Sequence, residues 1–398
     1  MKSLMEKIIN KLDGIATFSD VRITKTDQEK IYFERGNLKN VSNSLNEYHM
    51  GIRVLINGTW GFASTTEIKE GNIDKLIKIN IEPLFVVSNR KNDEKILDQK
   101  KYKYIQQKVL PFKGVIVLNK LKSIFFLIIE VFKSLKLLRQ GDKVLLFGGF
   151  ASASMGIAGI LRRNEIYIHE QNAVMGLTNR ILAPYARKVF LSFDNTGRVK
   201  GKMVVTGNPV RNEFLDVTFK EKLGMNIVIT GGSQGSRYIN KLIVASAKKL
   251  LEKGFCLVHQ TGIKLYNETV YMYQECGIKP DDSLKIYPFI DNIKNLYEWT
   301  DIIISRAGSG SLFEAIYAKR PTIFIPLKLS ADNHQMHNAI YAQKMGFAKI
   351  ITEEEGNTDK LIGYIEEIHK SYDKMAQNLK NVKIKNSADI IIMEMEVA

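Results

Sequence analysis

Cysteine is scarce in this chain. Cys256 and Cys276 are the only two among 398 residues, so no disulfide framework holds the fold and a reducing cytoplasm is the expected compartment. A secretory leader is missing as well, because the opening MKSLMEKIINKLDG has no continuous apolar core of about 7–15 residues. The six histidines show neither a zinc-type Cys/His spacing nor an HExxH helix. That pattern argues against a structural or catalytic metal, and no other cofactor is called for. The apolar run Ile124 to Ile129 is far shorter than the roughly 20 residues a transmembrane helix needs. Arginine-rich aromatic platforms and DNA- or RNA-reading signatures are also missing, so nucleic acid is not the expected partner of a chain with net charge +16. An acidic membrane surface or a phosphorylated substrate fits that charge, as does a plain Lys- and Ile-rich proteome bias.

What is present is a globular composition, 45% hydrophobic and 25% charged, on a chain long enough for two or three domains. An opening helix is followed by alternating segments at 21–26, 30–36, 38–44 and 49–65, with turn residues at Gly36-Asn37 and Asn57-Gly58. Period-two patterning with such turns predicts antiparallel hairpins, so residues 1–74 read as a small α+β module. From about residue 80 the pattern changes. PLFVV, KVLLFGG, EIYIHE, KVFLSF, MVVTGNP, NIVITGG, FCLVHQTG, SLKIYPF, DIIISRAG and PTIFIPL are short apolar runs separated by helical stretches. Buried parallel strands in βαβ units have this signature, and there are enough for two doubly wound sheets. The natural seam between the sheets is the loop-rich stretch 207–224.

The segment 120–139 is basic at both ends and apolar over more of its circumference than sheet packing requires. Two readings stand: an interfacial helix on anionic lipid, inserting Phe125, Phe126 and Ile129, or a crossover helix packed on its sheet.

Three stretches carry chemistry. Ile227 to Ser236 places the glycine-rich turn GGSQG between a strand and a helix expected to begin near Ser236. Glycines let backbone N–H groups approach phosphate oxygens, and a helix N-terminus adds partial positive charge, although a tight turn without a ligand looks the same. Ser305 to Glu314 repeats the arrangement after another strand. Two such turns at the carboxyl ends of strands in one sheet converge on the crevice where open α/β sheets bind ligands. Glu314, one helical turn in, is placed to accept hydrogen bonds from a ribose diol, or is a first-turn glutamate favoured by the helix dipole. In the polar loop 326–335, before the helix containing Asn338, His334 and Gln335 can hydrogen-bond sugar hydroxyls or simply be solvated.

The order and spacing of FGGFASAS (147–154), HEQNAVMGLTNR (169–180), TGNPVR (206–211), GGSQGSRYIN (231–240), HQTG (259–262), PFIDNI (288–293), SRAGSGSLFEA (305–315) and NHQMHNA (333–339) resemble the MurG family of glycosyltransferases over residues 82–398. The resemblance implies a GT-B fold of two Rossmann-like domains, at 82–206 and 207–398. It also implies an inverting, metal-independent transfer of N-acetylglucosamine from UDP-N-acetylglucosamine to undecaprenyl-pyrophosphoryl-muramyl-pentapeptide. By matching position, Ser233 and Ser309, Gly310, Ser311, Leu312 and Phe313 face the diphosphate. Glu314 takes the ribose, the Ile290 backbone meets the uracil, Gln335 holds the sugar hydroxyls, and Asn172 and Arg211 bind beside the cleft. The family also implies peripheral attachment at the cytoplasmic face of the cell membrane, with 120–139 as the basic, apolar membrane patch.

Two departures qualify that picture. The family's opening strand and GTGGH loop, which hold acceptor-diphosphate residues and a candidate general base, have no counterpart in this sequence. In their place, DVRITKT, ERGNLKNVSNS and GIRVLINGTWGFAST make residues 1–74 resemble the N-terminal, non-catalytic domain of the TldD/PmbA metallopeptidase family. The join near 75–82 reads as a fusion of two truncated genes or an assembly error. Inverting transfer needs a base within reach of the acceptor hydroxyl, and His169 and Glu170 are the neighbours to consider. The alternatives to an active transferase are an inactive UDP-sugar-binding remnant and a partner of a TldD/PmbA-type peptidase.

Overall fold

A computed structural model describes residues 18–25, 29–34, 37–40, 48–56, 59–65, 84–88, 97–98, 102–107, 117–194, 196, 202–232, 234–290, 293–328, 330–382 and 386–396. The chain forms two compact units, Met1–Val109 and Leu110–Ala398.

The first unit contains an antiparallel sheet of strands β1 (Phe18–Lys25), β2 (Glu29–Glu34), β3 (Asn37–Asn40), β4 (Tyr48–Ile56) and β5 (Thr59–Thr65) in the order β3-β2-β1-β4-β5. This matches the expected hairpins, with β4 and β5 in continuous register from Met50↔Thr65 to Ile56↔Thr59. The opening helix, Gly36 and the Asn57-Gly58 turn lie outside the described residues. PLFVV yields β6 (Phe85–Ser88), which pairs in parallel with β7 (Tyr104–Gln107). The YIQQ of β7 is mixed polar and apolar, and patterning alone does not pick it out.

The second unit opens with helix α1 (Val117–Leu137), which packs on α2 (Gly149–Leu161). Four parallel strands follow, β8 (Lys143–Leu146), β9 (Glu165–Glu170), β10 (Lys188–Leu191) and β11 (Met203–Val205), in the order β11-β10-β9-β8. A short helix α3 (Leu177–Leu182) follows β9. Six more parallel strands are β12 (Asn226–Thr230), β13 (Cys256–Gln260), β14 (Leu284–Tyr287), β15 (Ile302–Ser305), β16 (Thr322–Phe324) and β17 (Ala348–Ile350). Their order is β14-β13-β12-β15-β16-β17, the 3-2-1-4-5-6 arrangement of a dinucleotide-type sheet, whose switch point lies between β12 and β15. All but β17 correspond to an expected apolar run. At three residues, two of them only partly buried, β17 is too short to stand out in a sequence.

Among the described residues, the α-helices of the six-stranded half are α4 (Arg237–Glu252), α5 (Tyr266–Glu275), α6 (Ile293–Trp299), α7 (Ser309–Tyr317), α8 (His334–Lys344), α9 (Thr358–Lys370) and α10 (Tyr372–Asn381). Helix α4 begins where expected: Ser236 is extended and its hydroxyl accepts the Ile239 N–H, the ordinary N-cap geometry. Ile239, Leu242, Ile243, Ala247 and Leu250 then recur at helical spacing and are buried. A last helix, α11 (Ser387–Glu396), returns to the four-stranded sheet, where Ile391 packs with Tyr167 and Phe190 and Glu394 pairs with Lys188 at 2.9 Å.

Arg320 holds the seam between the sheets. It is 1% exposed, and its guanidinium donates to the carbonyls of Thr300 at 2.7 Å, Ala318 at 2.7 Å and Thr218 at 2.9 Å. Thr218 belongs to the 207–224 linker, so one side chain ties that linker to Thr300, just before β15, and to the C-terminal end of α7. Arg320→Met keeps the length but strips three carbonyls of their donor. The expected loss is about 3 kcal/mol of stability, read as a lower denaturant midpoint at unchanged slope; an unaltered midpoint would show that water replaces the guanidinium without cost.

Candidate active site

The crevice at the β12/β15 switch point is built from three turns. In the first, Gly232 (φ 81°) donates its N–H to Thr230 Oγ1 at 3.1 Å, and Gly235 donates to the Gly232 carbonyl at 3.0 Å. Gly235 (φ 74°) lies so close to the HQTG turn that an added Cβ would stand 2.1 Å from the Thr261 carbonyl oxygen. No L side chain fits there, which is the physical reason for glycine. Ser233, the residue expected at the diphosphate, lies outside the described residues.

The second turn leads into α7. Its N-cap, Gly308, offers no side-chain cap, so the first-turn N–H groups keep their capacity for an outside acceptor. An added Cβ at Gly308 or Gly310 meets nothing within 4 Å. The first turn of α7, at Ser309, Gly310 and Ser311, therefore has open space beside its glycines. Leu312 and Phe313 are not placed alike: both are buried, and the Phe313 ring packs edge-on against Phe193 at 5.1 Å. Their side chains serve the core.

Glu314 follows on the same helix. Burial pushes its carboxyl above the usual range, opposed by the Arg211 guanidinium, which donates to it at 3.4 Å, and by the Tyr297 hydroxyl. Arg211 also lies over the Phe214 ring, 5.4 Å from its centroid, and Phe214 packs edge-on to buried Tyr297 at 4.9 Å. The structure thus brings Glu314 and Arg211 together, and it adds Tyr297, which sat in the sequence as one apolar position of a short helix.

The Ile290 N–H donates to Gln260 Oε1 at 3.0 Å, with Phe289 beside it 42% exposed. Gln335, at the start of α8, accepts the Leu327 N–H at 2.9 Å and donates its own N–H to Ser330 Oγ at 3.3 Å. Asp332 (φ 50°) and Asn333 (φ 54°) are consecutive left-handed residues just before it, a costly geometry for non-glycine backbone that a site loop can retain.

The third turn follows β9. Asn172 donates its backbone N–H to Glu170 Oε1 at 3.0 Å, and its Oδ1 accepts from Asn338 Nδ2 at 3.2 Å. Asn338 is fully buried; its Oδ1 accepts the Ala173 N–H at 2.9 Å and its Nδ2 also reaches the Ala307 carbonyl at 3.1 Å. Glu170 Oε2 accepts from Gly176 at 3.0 Å and Asn179 at 2.8 Å. With both oxygens engaged, Glu170 orders the turn. His169 is fully buried, its Nε2 3.1 Å from the Gly207 carbonyl and 3.4 Å from the Ser192 hydroxyl. Because a carbonyl only accepts, Nε2 carries the proton, and burial lowers the ring's pKa below the usual histidine value. Neither side chain is presented to an acceptor hydroxyl.

Sequence reasoning missed Arg306, which donates to Ser236 Oγ at 2.7 Å and to the carbonyls of Ile325 and Pro326, and pairs with Glu353 at 2.6 Å. It cross-links the first turn to the loop that precedes Gln335. Gln260 and Asn338 were missed as well. Gln260 ends a parallel strand inside HQTG, and that position was the available signal, since strand ends of such sheets line the crevice. Among the described residues no group of three or more His, Cys, Asp or Glu is arranged to hold a metal.

Residues 226–392 match the Glycosyltransferase family 28 C-terminal domain, 73–191 the Glycosyltransferase family 28 N-terminal domain, and 19–82 the PmbA/TldA metallopeptidase domain 1. The UDP-N-acetylglucosamine–N-acetylmuramyl-(pentapeptide) pyrophosphoryl-undecaprenol N-acetylglucosamine transferase of Helicobacter pylori is 32% identical over 269 residues, 67% of this chain and 75% of that protein. The transferase of the same name from Halothermothrix orenii is 32% identical over 322 residues, 76% of this chain and 87% of its own length. The crystal structure of Acinetobacter baumannii MurG superposes with a TM-score of 0.67 at 25% identity, covering 82% of this chain and 94% of that one. With a GT-B pair of parallel sheets and relatives of this identity and coverage, the chain belongs to the MurG family of UDP-N-acetylglucosamine-dependent glycosyltransferases.

Proposed function

We propose that this chain transfers N-acetylglucosamine from UDP-N-acetylglucosamine to a lipid-linked N-acetylmuramyl pentapeptide, the step that builds the disaccharide unit of peptidoglycan. The observation that carries the reading is the pair of glycine-rich turns at the switch point of the six-stranded sheet, with the Glu314 carboxylate one helical turn inside the second. Residues 207–398 serve as the donor half, 82–206 as the acceptor half and 1–74 as a PmbA/TldD-like module.

In this reading the donor diphosphate lies over the N-terminus of α7 and the 231–235 turn, where N–H groups offset its charge. Ser233 takes part in the first turn, and Ser309, Gly310 and Ser311 in the second, with Leu312 and Phe313 supporting from below. Glu314 accepts the ribose hydroxyls, the Ile290 backbone reads the uracil, and the Gln335 amide donates to N-acetylglucosamine hydroxyls. Asn172 and Arg211 line the cleft between donor and acceptor. The muramyl hydroxyl attacks the anomeric carbon as the bond to the diphosphate breaks and UDP leaves with the electron pair, inverting that centre. A base must take the hydroxyl proton. His169 is engaged with the Gly207 carbonyl and Glu170 within its own turn, and the family's GTGGH loop is not in the sequence.

Attachment is assigned to the cytoplasmic face of the membrane, through anionic lipid. Helix α1 supports this by burying a polar stripe, Ser123, Glu130 and Ser134, while exposing Ile124 (44%), Phe125 (62%), Ile128 (50%) and Phe132 (64%). An apolar stripe turned outward beside exposed lysines suits the interface of an acidic bilayer. It also revises the sequence-based choice of inserting residues, since Phe126 and Ile129 are half-buried. No helix among the described residues is long and apolar enough to cross a membrane.

Three measurements test these assignments. Labelled transfer to a lipid-pyrophosphoryl muramyl-peptide acceptor should run at least about 100-fold slower than in a relative carrying GTGGH, the lower range for losing a general base; equal rates would show that another group accepts the proton. Glu314→Ala should weaken calorimetric UDP affinity by about 1–3 kcal/mol, and an unchanged affinity would refute the ribose contact. Phe125, Ile128 and Phe132 changed together to Ser should release the protein from anionic liposomes, whereas retention would place the membrane contact elsewhere.

A further inference from the structure

His259 is a fully buried titratable side chain that none of the assignments above uses. It stands on β13 with both ring nitrogens engaged: Nδ1 lies 2.9 Å from the Tyr273 hydroxyl on α5, and Nε2 3.1 Å from Asn240 Oδ1 on α4. Asn240, also buried, donates through Nδ2 to the Thr261 carbonyl at 3.1 Å and to Thr269 Oγ1 at 2.9 Å. The Thr269 hydroxyl donates in turn to the Leu265 carbonyl at 2.7 Å. The two carbonyls set the direction of every bond. Because a carbonyl only accepts, the Thr269 hydroxyl and the Asn240 nitrogen must donate to them, and Asn240 turns its oxygen to the ring. Nε2 therefore carries the proton, and Nδ1 accepts from the Tyr273 hydroxyl. Burial pushes the ring's pKa down to about 3, which keeps this neutral tautomer in place from mildly acidic to basic solution.

We propose that His259 is a positioning residue for the donor diphosphate, acting through Asn240 and the Thr261 carbonyl on the 231–235 turn. The proposal rests on the reading that this turn meets the diphosphate. Two contacts connect the ring to the turn. The Thr261 carbonyl is the wall against which Gly235 packs, with no room even for a Cβ. The same carbonyl accepts from the Asn240 amide, whose oxygen is held by the His259 Nε2–H. Without that donor the amide oxygen would be a buried, unpaired acceptor, and any rotation that relieved it would carry the Nδ2 hydrogens away from Thr261. With the Thr261 peptide released, the contact at Gly235 no longer fixes the turn, and its N–H groups lose the preorganisation that anion binding draws on. The rest of the nucleotide site has other supports. Ile290 is held by Gln260, and Glu314 by Arg211 and Tyr297, so the effect of His259 falls on the phosphates and not on the nucleoside.

The test separates phosphates from nucleoside by measuring the affinity of the full chain for UDP by calorimetry and for uridine by NMR titration. His259→Asn keeps an acceptor for the Tyr273 hydroxyl but is too short to reach Asn240, whereas His259→Gln sets an amide N–H where the Nε2–H stands. His259→Asn should lose about tenfold in UDP affinity, the worth of one neutral hydrogen bond, with uridine affinity unchanged. Its KM for UDP-N-acetylglucosamine should rise while kcat stays near wild type, and His259→Gln should restore UDP affinity. Equal losses for UDP and uridine, no loss in His259→Asn, or no rescue by His259→Gln would overturn the proposal and leave His259 an ordinary core residue. Should neither variant fold, the imidazole N–H signal of His259 in the wild-type chain carries the test: UDP should shift it and uridine should not, and a signal that UDP leaves unmoved overturns the proposal. No UDP binding by the wild-type chain would instead overturn the underlying functional reading.

Discussion

The carboxamide of Asn338 joins the two parallel sheets at the cleft. From α8, in the six-stranded half, it accepts the backbone N–H of Ala173 and donates to Asn172 Oδ1 in the turn after β9, and it donates again to the Ala307 carbonyl in the turn after β15. A fully buried amide with every polar atom engaged permits one spacing between its partners. Consequently the turn bearing Asn172 and the turn leading to Ser309 share one frame. Donor and acceptor groups assigned to those turns acquire a fixed separation before any ligand arrives, which is what catalysis by positioning requires.

A second layer of constraint lies around the donor crevice and is made of backbone contacts. Gly235 and Gly262 approach so closely that a Cβ on either would meet the other's backbone, which locks the GGSQG turn against HQTG. Arg306 holds the first turn to the loop before Gln335, and Arg320 holds the linker. These arginines use their donors on carbonyls, a hydroxyl and a carboxylate within the protein, so in the proposed reading a diphosphate is met by helix N-termini and turn N–H groups.

Much of this was legible in the sequence because it depends on local rules. Apolar runs mark buried strands, glycines mark turns with positive φ, and Ser236 marks a helix start. The spacing of SRAG, Glu314 and NHQ placed those residues on one crevice. What was not legible depends on which side chain reaches across space. Asn338 lies in a helix of unremarkable pattern, and nothing local reveals that its amide meets a turn 165 residues earlier. Patterning also could not decide how 120–139 turns, because both faces carry apolar residues; the structure buries Ser123, Glu130 and Ser134, packs Leu135 and Leu138 against the four-stranded sheet, and exposes Ile124, Phe125, Ile128 and Phe132. Glu130 Oε1 accepts from Lys133 at 2.8 Å, which a position on a helix of apolar pattern does not announce.

The central claim is that a uridine diphosphate is held by the turns at the β12/β15 switch point. Amide hydrogen exchange of the full chain, measured with and without saturating UDP, tests it directly. Exchange should slow at 231–236, at Ile290 and at 309–311, and stay unchanged over the hairpins at 18–65. UDP binding without protection at those three turns, or with protection confined to another part of the chain, would contradict the account.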